Sequence, residues 1–284
     1  MTAPRPDAVS RFTGFADAYD SARPRPPAEV AEVIAQWCGR PRPDVVDLGA
    51  GTGLSTVIWD GRAGSVTAIE PSADMRGILA GRIAALESAR ADRAAAPGGL
   101  TGAGAPTAFT VTTGTAEDTG RPAGSADIVA VSQAMHWFDP ARALPEIARV
   151  LRPGGVLAAF DCDWPPCTDW ETDAAYAAFE EQTRAVDVAR ETQPPRAEKH
   201  GHLGRMRASG LFRFATEIAV HSQQYGDGQR LVDVALSQGG VQALLKAGAT
   251  EDELGLTRLR EVAARRIPEP RPFWWTYRIR MAVR

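Results

Sequence analysis

Val45-Val46-Asp47-Leu48-Gly49-Ala50-Gly51-Thr52-Gly53 is the stretch on which the fold turns. An apolar run enters a turn that carries almost no side chains. Such a turn lets backbone N–H groups, and the N-terminus of a following helix, approach a ligand closely. Glu70 follows Gly51 by 19 residues, at the end of a second apolar run, Val66-Thr67-Ala68-Ile69. A carboxylate at that spacing is placed to accept hydrogen bonds from the ribose hydroxyls of a nucleoside.

Outward from this turn, strand and helix patterns alternate. Strands are predicted at Val45–Asp47, Val66–Glu70, Phe109–Thr113, Ala126–Ser132 and Val156–Asp161. Helices are predicted between them, opening at Leu54–Asp60 and running over Pro71–Ala91 and Ala141–Leu151. The Pro71–Ala91 helix turns Met75, Ile78, Leu79 and Ile83 to one side, and Pro153-Gly154-Gly155 closes the helix before it. Residues 94–108, rich in Ala, Gly and Pro, read as a surface loop. This alternation predicts a doubly wound α/β fold, with helices on both faces of a mostly parallel sheet.

Four domain segments are expected. Residues 1–40 form an N-terminal helical lid, with Phe12, Phe15 and Tyr19 on one helix face and a second helix over Ala28–Trp37. Residues 41–161 form the cofactor-binding core. Residues 162–210 form a polar, mostly helical cap over the substrate, broken at Pro165-Pro166 and Pro194-Pro195. Residues 211–284 add strands at Phe212–Tyr225 and Phe273–Val283 with a helical insertion, Leu231–Lys246 and Thr250–Arg266, completing the sheet.

Composition narrows the function. A net charge of −3 gives no electrostatic footprint for nucleic acid. Neither a signal peptide nor a membrane-crossing run is evident, and three cysteines suit a reducing, cytoplasmic setting. Cys162 and Cys167 lack a second pair to complete a zinc site, and His200 and His202 read as exposed loop residues, so no metal is expected. A nicotinamide dinucleotide fits poorly: its third glycine would fall at Leu54, and Gly53 is one residue early.

Two further motifs join the glycine turn and Glu70: Gly114-Thr115-Ala116-Glu117 and Leu151-Arg152-Pro153-Gly154-Gly155-Val156-Leu157. In this order the four motifs resemble the class I methyltransferases that use S-adenosylmethionine, with a Rossmann-like seven-stranded sheet. The stretches Phe15–Pro24 and Gln133–Phe138 are similar to a small-molecule branch, that of the trans-aconitate methyltransferases. The long terminal strands match the family's antiparallel sixth and seventh.

The resemblance implies S-adenosylmethionine as cofactor and S-adenosylhomocysteine as product. It implies that Asp47, Gly49, Ala50, Gly51, Glu70, Pro71, Met75, Thr115, Ala116, Glu117, Ser132 and Gln133 hold the cofactor. Asp47 would lie near its methionine amino group, Glu70 on the ribose and residues 115–117 on the adenine. Ser132, Gln133 and His136 follow the fourth predicted strand, at the sheet edge that faces the ligand crevice in open α/β folds. His136 is the candidate base, because an imidazole titrates near neutral pH. Tyr19 is the candidate closing residue, and Phe15, Trp137, Trp164 and Tyr176 are candidate substrate contacts.

Aligning nucleophile and methyl contributes roughly 7–11 kcal/mol of barrier lowering, so a base is needed only where the nucleophile must lose a proton. The acceptor is expected to be a small molecule with an oxygen, nitrogen or carbon nucleophile. The aromatic cap suits a flat apolar acceptor such as a secondary-metabolic phenol or indole. A non-methylating cyclisation, an RNA methyltransferase and a regulatory protein that keeps the cofactor site remain as alternatives. Monomer and homodimer are both open.

Overall fold

The computed structural model describes residues 22–95, 105–190 and 198–284. The predicted first helix, with Phe12, Phe15 and Tyr19, and most of the 94–108 loop lie outside them. The elements are α1 (Ala28–Cys38), β1 (Asp44–Leu48), β2 (Ser65–Ile69), α2 (Ala73–Ala95), β3 (Ala108–Thr112), β4 (Ala126–Ser132), α3 (Pro140–Val150) and β5 (Leu151–Cys162). They continue with α4 (Trp170–Arg190), α5 (His202–Ala208), β6 (Phe214–Gly226), α6 (Gly228–Leu236), α7 (Gly239–Lys246), α8 (Leu256–Arg266) and β7 (Arg271–Val283).

The seven strands form one sheet in the order β3-β2-β1-β4-β5-β7-β6. The first five are parallel, with Val46 opposite Thr67 and Val129, and Val129 opposite Leu157. β7 runs against β5: Gly154 and Gly155 bond Arg284, while Asp163 bonds Thr276. β4 is buried along nearly its whole length, as a central parallel strand covered on both faces must be. One face packs Val46, Leu48, Val129, Leu144, Ile147 and Leu157 together. The other packs Ala50, Ala68, Leu79 and Ile83, with Phe109 and Val111 against them.

The described residues divide into two compact units. One contains residues 25–95, 105–161, 198–220 and 277–284 and carries the parallel strands. The other contains residues 22–24, 162–190 and 221–276, in which α4 and α6 pack on α8.

Four elements differ from expectation. Where a helix was expected at 54–60 there is a single 3-10 turn, Thr56–Trp59. Thr56-Val57-Ile58 is a β-branched run, which opposes helix propagation, and Gly61 at φ +74° ends it. β5 begins directly after α3 and carries Pro153-Gly154-Gly155 inside it. The pairing shifts register between Ala126 and Ile128, and Gly154 at φ +78° fits such an irregularity.

The expected helix over 231–246 is two helices, because Gln238 is extended (ψ 123°) and the Ser237 hydroxyl donates back to the Val234 carbonyl. Finally, α8 starts only at Leu256. Thr250 and Glu253 cap each other reciprocally, but Gly255 at φ +78° breaks that turn from the helix.

Candidate active site

The carboxyl ends of β1 and β2 build the first half of the site. Gly49, Gly51 and Gly53 all have positive φ (+67°, +57° and +84°). They have different jobs. A Cβ on Gly49 would lie 2.8 Å from the Ala134 Cβ, and one on Gly53 would lie 2.3 Å from the Leu79 Cδ1. Those two glycines let the turn pack on its own protein. A Cβ on Gly51 would meet no atom within 4 Å, so Gly51 is the residue that faces open space.

Asp47 is fully buried at the end of β1. Its Oδ2 accepts from the hydroxyls of Thr56 (2.7 Å) and Ser55 (3.2 Å). Its Oδ1 has no hydrogen-bond partner among the described residues. Burial, opposed by those two hydroxyls and reinforced by the Glu70 carboxylate, pushes its carboxyl up to about 6. Glu70 is buried behind the turn, accepting from the amides of Gly51 (3.0 Å) and Ser72 (2.9 Å). Burial also raises its carboxyl above the ordinary range. Each Glu70 oxygen retains acceptor capacity beyond the one bond it makes.

The other expected cofactor residues line the same unit. Ala50 is buried and its amide bonds the Ile69 carbonyl. Pro71 gives its carbonyl to Arg76 (2.8 Å), and Met75 is buried on α2. Thr115 and Asp118 bond each other across the turn after β3, over the buried Ala116. Glu117 accepts the Asp139 amide (2.9 Å), which ties this turn to the start of α3. Ser132 ends β4, half-buried. Gln133 follows at φ +54°, an uncommon conformation for a residue with a side chain.

Gln133 leads into the second half of the site. Its Oε1 accepts from the Lys199 Nζ (2.9 Å). Lys199 also lies 3.3 Å from the Asp161 Oδ1, on β5. The Nδ1 of His136 lies 4.0 Å from the same oxygen. Arg280 of β7, buried, holds the Asp161 Oδ2 at 3.0 Å and reaches Glu217 of β6 at 2.7 Å. Trp137 is half-buried with its ring 4.9 Å from that of His136.

His202 corrects an expectation. It is fully buried at the start of α5 rather than exposed in a loop. Its Nδ1 lies 2.6 Å from the Arg205 Nη2. Burial, with the Arg205, Arg280 and Lys199 charges, pushes its imidazole down to about 4, so it is neutral at neutral pH.

Two expected substrate residues belong to the other compact unit. Trp164 packs edge-on to Trp275 (5.7 Å) under the Arg23 guanidinium (4.9 Å). Tyr176 is fully buried and its hydroxyl accepts from Gln238 (3.1 Å). Burial pushes that phenol well above its usual range. Tyr19 and Phe15 lie outside the described residues.

The sequence reading missed Asp161, Lys199 and Arg280. Asp161 had a legible signal, a carboxylate closing an apolar strand beside the strand that leads to His136. Arg280 falls within the predicted strand Phe273–Val283, where apolar and polar residues alternate and nothing sets it apart. Lys199 carries no signal of its own.

Residues 46–159 match the family described as a methyltransferase domain. The uncharacterized methyltransferase Rv3342 of Mycobacterium tuberculosis is 38% identical over 157 residues, 55% of this chain and 54% of that protein. The chain therefore spans about half the length of this relative. A solved structure, that of a candidate type II methyltransferase from Anaeromyxobacter dehalogenans, aligns with a TM-score of 0.62 at 22% identity. That alignment covers 92% of this chain and 97% of the other. YcgJ from Bacillus subtilis aligns at 0.52 and 16%, covering 90% and 98%. At these identities the likeness establishes the fold. Among the described residues, no helix is long and apolar enough to cross a membrane, and no cluster of three His, Cys, Asp or Glu side chains is placed to hold a metal.

Proposed function

We propose that this chain is an S-adenosylmethionine-dependent methyltransferase acting on a small-molecule acceptor, of the branch that resembles the trans-aconitate methyltransferases. Asp47 carries the reading. A buried carboxylate with one oxygen satisfied and the other without a partner is costly unless a cation meets it. The methionine ammonium of the cofactor supplies such a cation. Glu70 has acceptor capacity for ribose hydroxyls, and Gly51 leaves room for the nucleoside. The single 3-10 turn after the glycines also disfavours a dinucleotide, whose pyrophosphate relies on an α-helix N-terminus.

Bound there, S-adenosylmethionine supplies an electrophilic methyl on a sulfonium. The chain's own task is to orient the acceptor and, for a protonated nucleophile, to take its proton. His136 is the residue for that task, at the end of β4 with its imidazole near Asp161. Ala116 and its neighbours take the adenine, Ser132 and Gln133 border the cofactor, and Trp137 meets the acceptor.

Calorimetry with S-adenosylmethionine and S-adenosylhomocysteine is expected to show saturable binding of both; absence of binding to both overturns the proposal. Product formation is then followed over a panel of phenols, indoles, amines and carboxylic acids. With an accepted substrate, His136→Ala is expected to lower turnover by about 10²–10⁴ while leaving cofactor affinity nearly intact. Unchanged turnover removes His136 from the role.

A further inference from the structure

We infer that Arg76 is the positioning residue for Glu70: its guanidinium holds the exit of β2 so that the Glu70 carboxylate stays against the glycine turn, with lone pairs left for a ribose. The inference rests on the methyltransferase reading for the identity of that ligand, and on geometry for the rest. Arg76 lies one turn into α2, half-buried. Its Nη1 donates to two consecutive carbonyls, those of Glu70 (2.7 Å) and Pro71 (2.8 Å). The same nitrogen lies 3.5 Å from the hydroxyl of Thr113, just past β3.

Pro71 brings no N–H of its own, and the guanidinium supplies donors to the two carbonyls that flank its ring. On the other side, the Glu70 amide donates to the Thr112 carbonyl (3.2 Å). The Glu70 backbone is therefore held at its amide and at its carbonyl. Its carboxylate is held at both oxygens, by the Gly51 and Ser72 amides.

A cation one turn into a helix opposes the helix dipole, which favours negative charge at that end. The carbonyls that Arg76 holds offset that cost, and so does Glu70. The Arg76 charge draws the Glu70 carboxyl down against burial, which favours the ionised form that only accepts hydrogen bonds. The adenine segment is joined to the same clamp. A Cβ on Gly114 would lie 2.9 Å from the Ile69 Cγ2, so the chain leaving β3 packs directly on the end of β2. Arg76 thus spans the segments that the methyltransferase reading gives to the ribose and to the adenine.

The glycine turn carries its own control. The Gly49 and Ala50 amides both donate to the Ile69 carbonyl (2.9 and 3.2 Å), whereas the Gly51 amide donates to the Glu70 side chain. Amide hydrogen exchange, followed by NMR on the full-length nitrogen-15-labelled protein, reads the difference without a ligand. Arg76→Met is expected to speed exchange at Gly51 and Ser72 by about tenfold and to leave Gly49 and Ala50 within about twofold of the parent. A merely structural role would move all four together. Arg76→Lys keeps the charge on a single ammonium and is expected to fall between parent and Arg76→Met; it gives the same comparison should Arg76→Met fail to fold.

Calorimetry on the same samples uses S-adenosylhomocysteine and its analogue without the two ribose hydroxyls. Arg76→Met is expected to weaken the first by about tenfold and the second by about twofold or less, because a carboxylate held in place acts only on the hydroxyls it receives. Exchange at Gly51 and Ser72 that matches the parent, or that rises equally at all four amides, overturns the inference. So does an unchanged S-adenosylhomocysteine affinity or an equal loss for the two ligands. A parent that binds neither ligand, with the expected exchange pattern, defeats the functional reading alone. A parent that binds both, with unchanged exchange in Arg76→Met, defeats this inference alone.

Discussion

The carboxyl ends of β1 and β2 and those of β4 and β5 handle buried charge in opposite ways. At the first, Asp47 and Glu70 are buried with hydroxyls and amides for company; among the described residues no cation is in hydrogen-bonding contact with either carboxylate, and only the Arg76 charge, from a distance, draws the Glu70 carboxyl down. Both carboxyls are pushed up as a result. At the second, Asp161 is matched by Arg280 and Lys199, and Arg280 by Glu217. One end holds an unmet demand for positive charge. The other is an internally balanced network that holds side chains in place. A site that binds a cation is expected to look like the first, and a platform that orients a base like the second.

The comparison is broken most directly at Arg280. Arg280→Met leaves Asp161 buried beside Lys199 alone and is expected to destabilise the fold by about 3–5 kcal/mol in urea unfolding. Adding Asp161→Leu is expected to recover part of that loss, because an apolar pair replaces a broken ionic one. A loss under about 1 kcal/mol for Arg280→Met would mean that the network is not structurally coupled.

The same contrast explains what was legible in the sequence. Val45-Val46 and Ala126–Ser132 announce parallel strands because both faces of such strands are buried, so they read as unbroken apolar runs. The glycine turn and Glu70 are close in sequence and share a motif, so the first end is readable from the sequence alone. The second end is assembled from β4, β5, the turn at Lys199, β6 and β7, spread from Gln133 to Arg280. No spacing rule links those residues; sheet order alone brings them together. Arg280 was hidden for a further reason. An alternation of apolar and polar residues implies a wet face, but its partners let a charged residue sit at a fully buried position. The helix expected at 54–60 failed because β-branched residues overrode an apolar pattern.

The glycines sharpen the comparison at intermediate scale. Gly51→Ala and Gly53→Ala share a positive-φ penalty of about 1 kcal/mol. Gly53→Ala additionally drives a methyl into Leu79, so it is expected to lose a further 1–3 kcal/mol or so of stability. Gly51→Ala meets nothing in the protein, and its further effect is expected on S-adenosylhomocysteine affinity, by about tenfold or more. Thermal unfolding and calorimetry on the two variants check this. Equal stability losses with equal affinities would show that the space over Gly51 is not a ligand's.

The smallest expected effect is also the most specific to the unmet charge. The Asp47 carboxyl lies near 6 against an ordinary value of about 3.9. Because its folded value is raised, the stability linked to this group is complete below about pH 4 and declines as pH rises toward 6. Binding a cation runs the other way. Only the ionised carboxylate receives the ammonium, so below pH 6 each unit of acidity imposes up to about 1.4 kcal/mol for deprotonation. Affinity for S-adenosylhomocysteine is therefore expected to rise by up to about tenfold per pH unit toward pH 6 and to level off above it. Asp47→Asn is expected to bind more weakly, to lose most of that slope and to be more stable than the parent at pH 8, with the stability gap closing near pH 4. A parent affinity that is flat between pH 5 and 7 would place the cofactor's positive charge away from Asp47. The unpartnered oxygen would then be a burial cost without a ligand to relieve it.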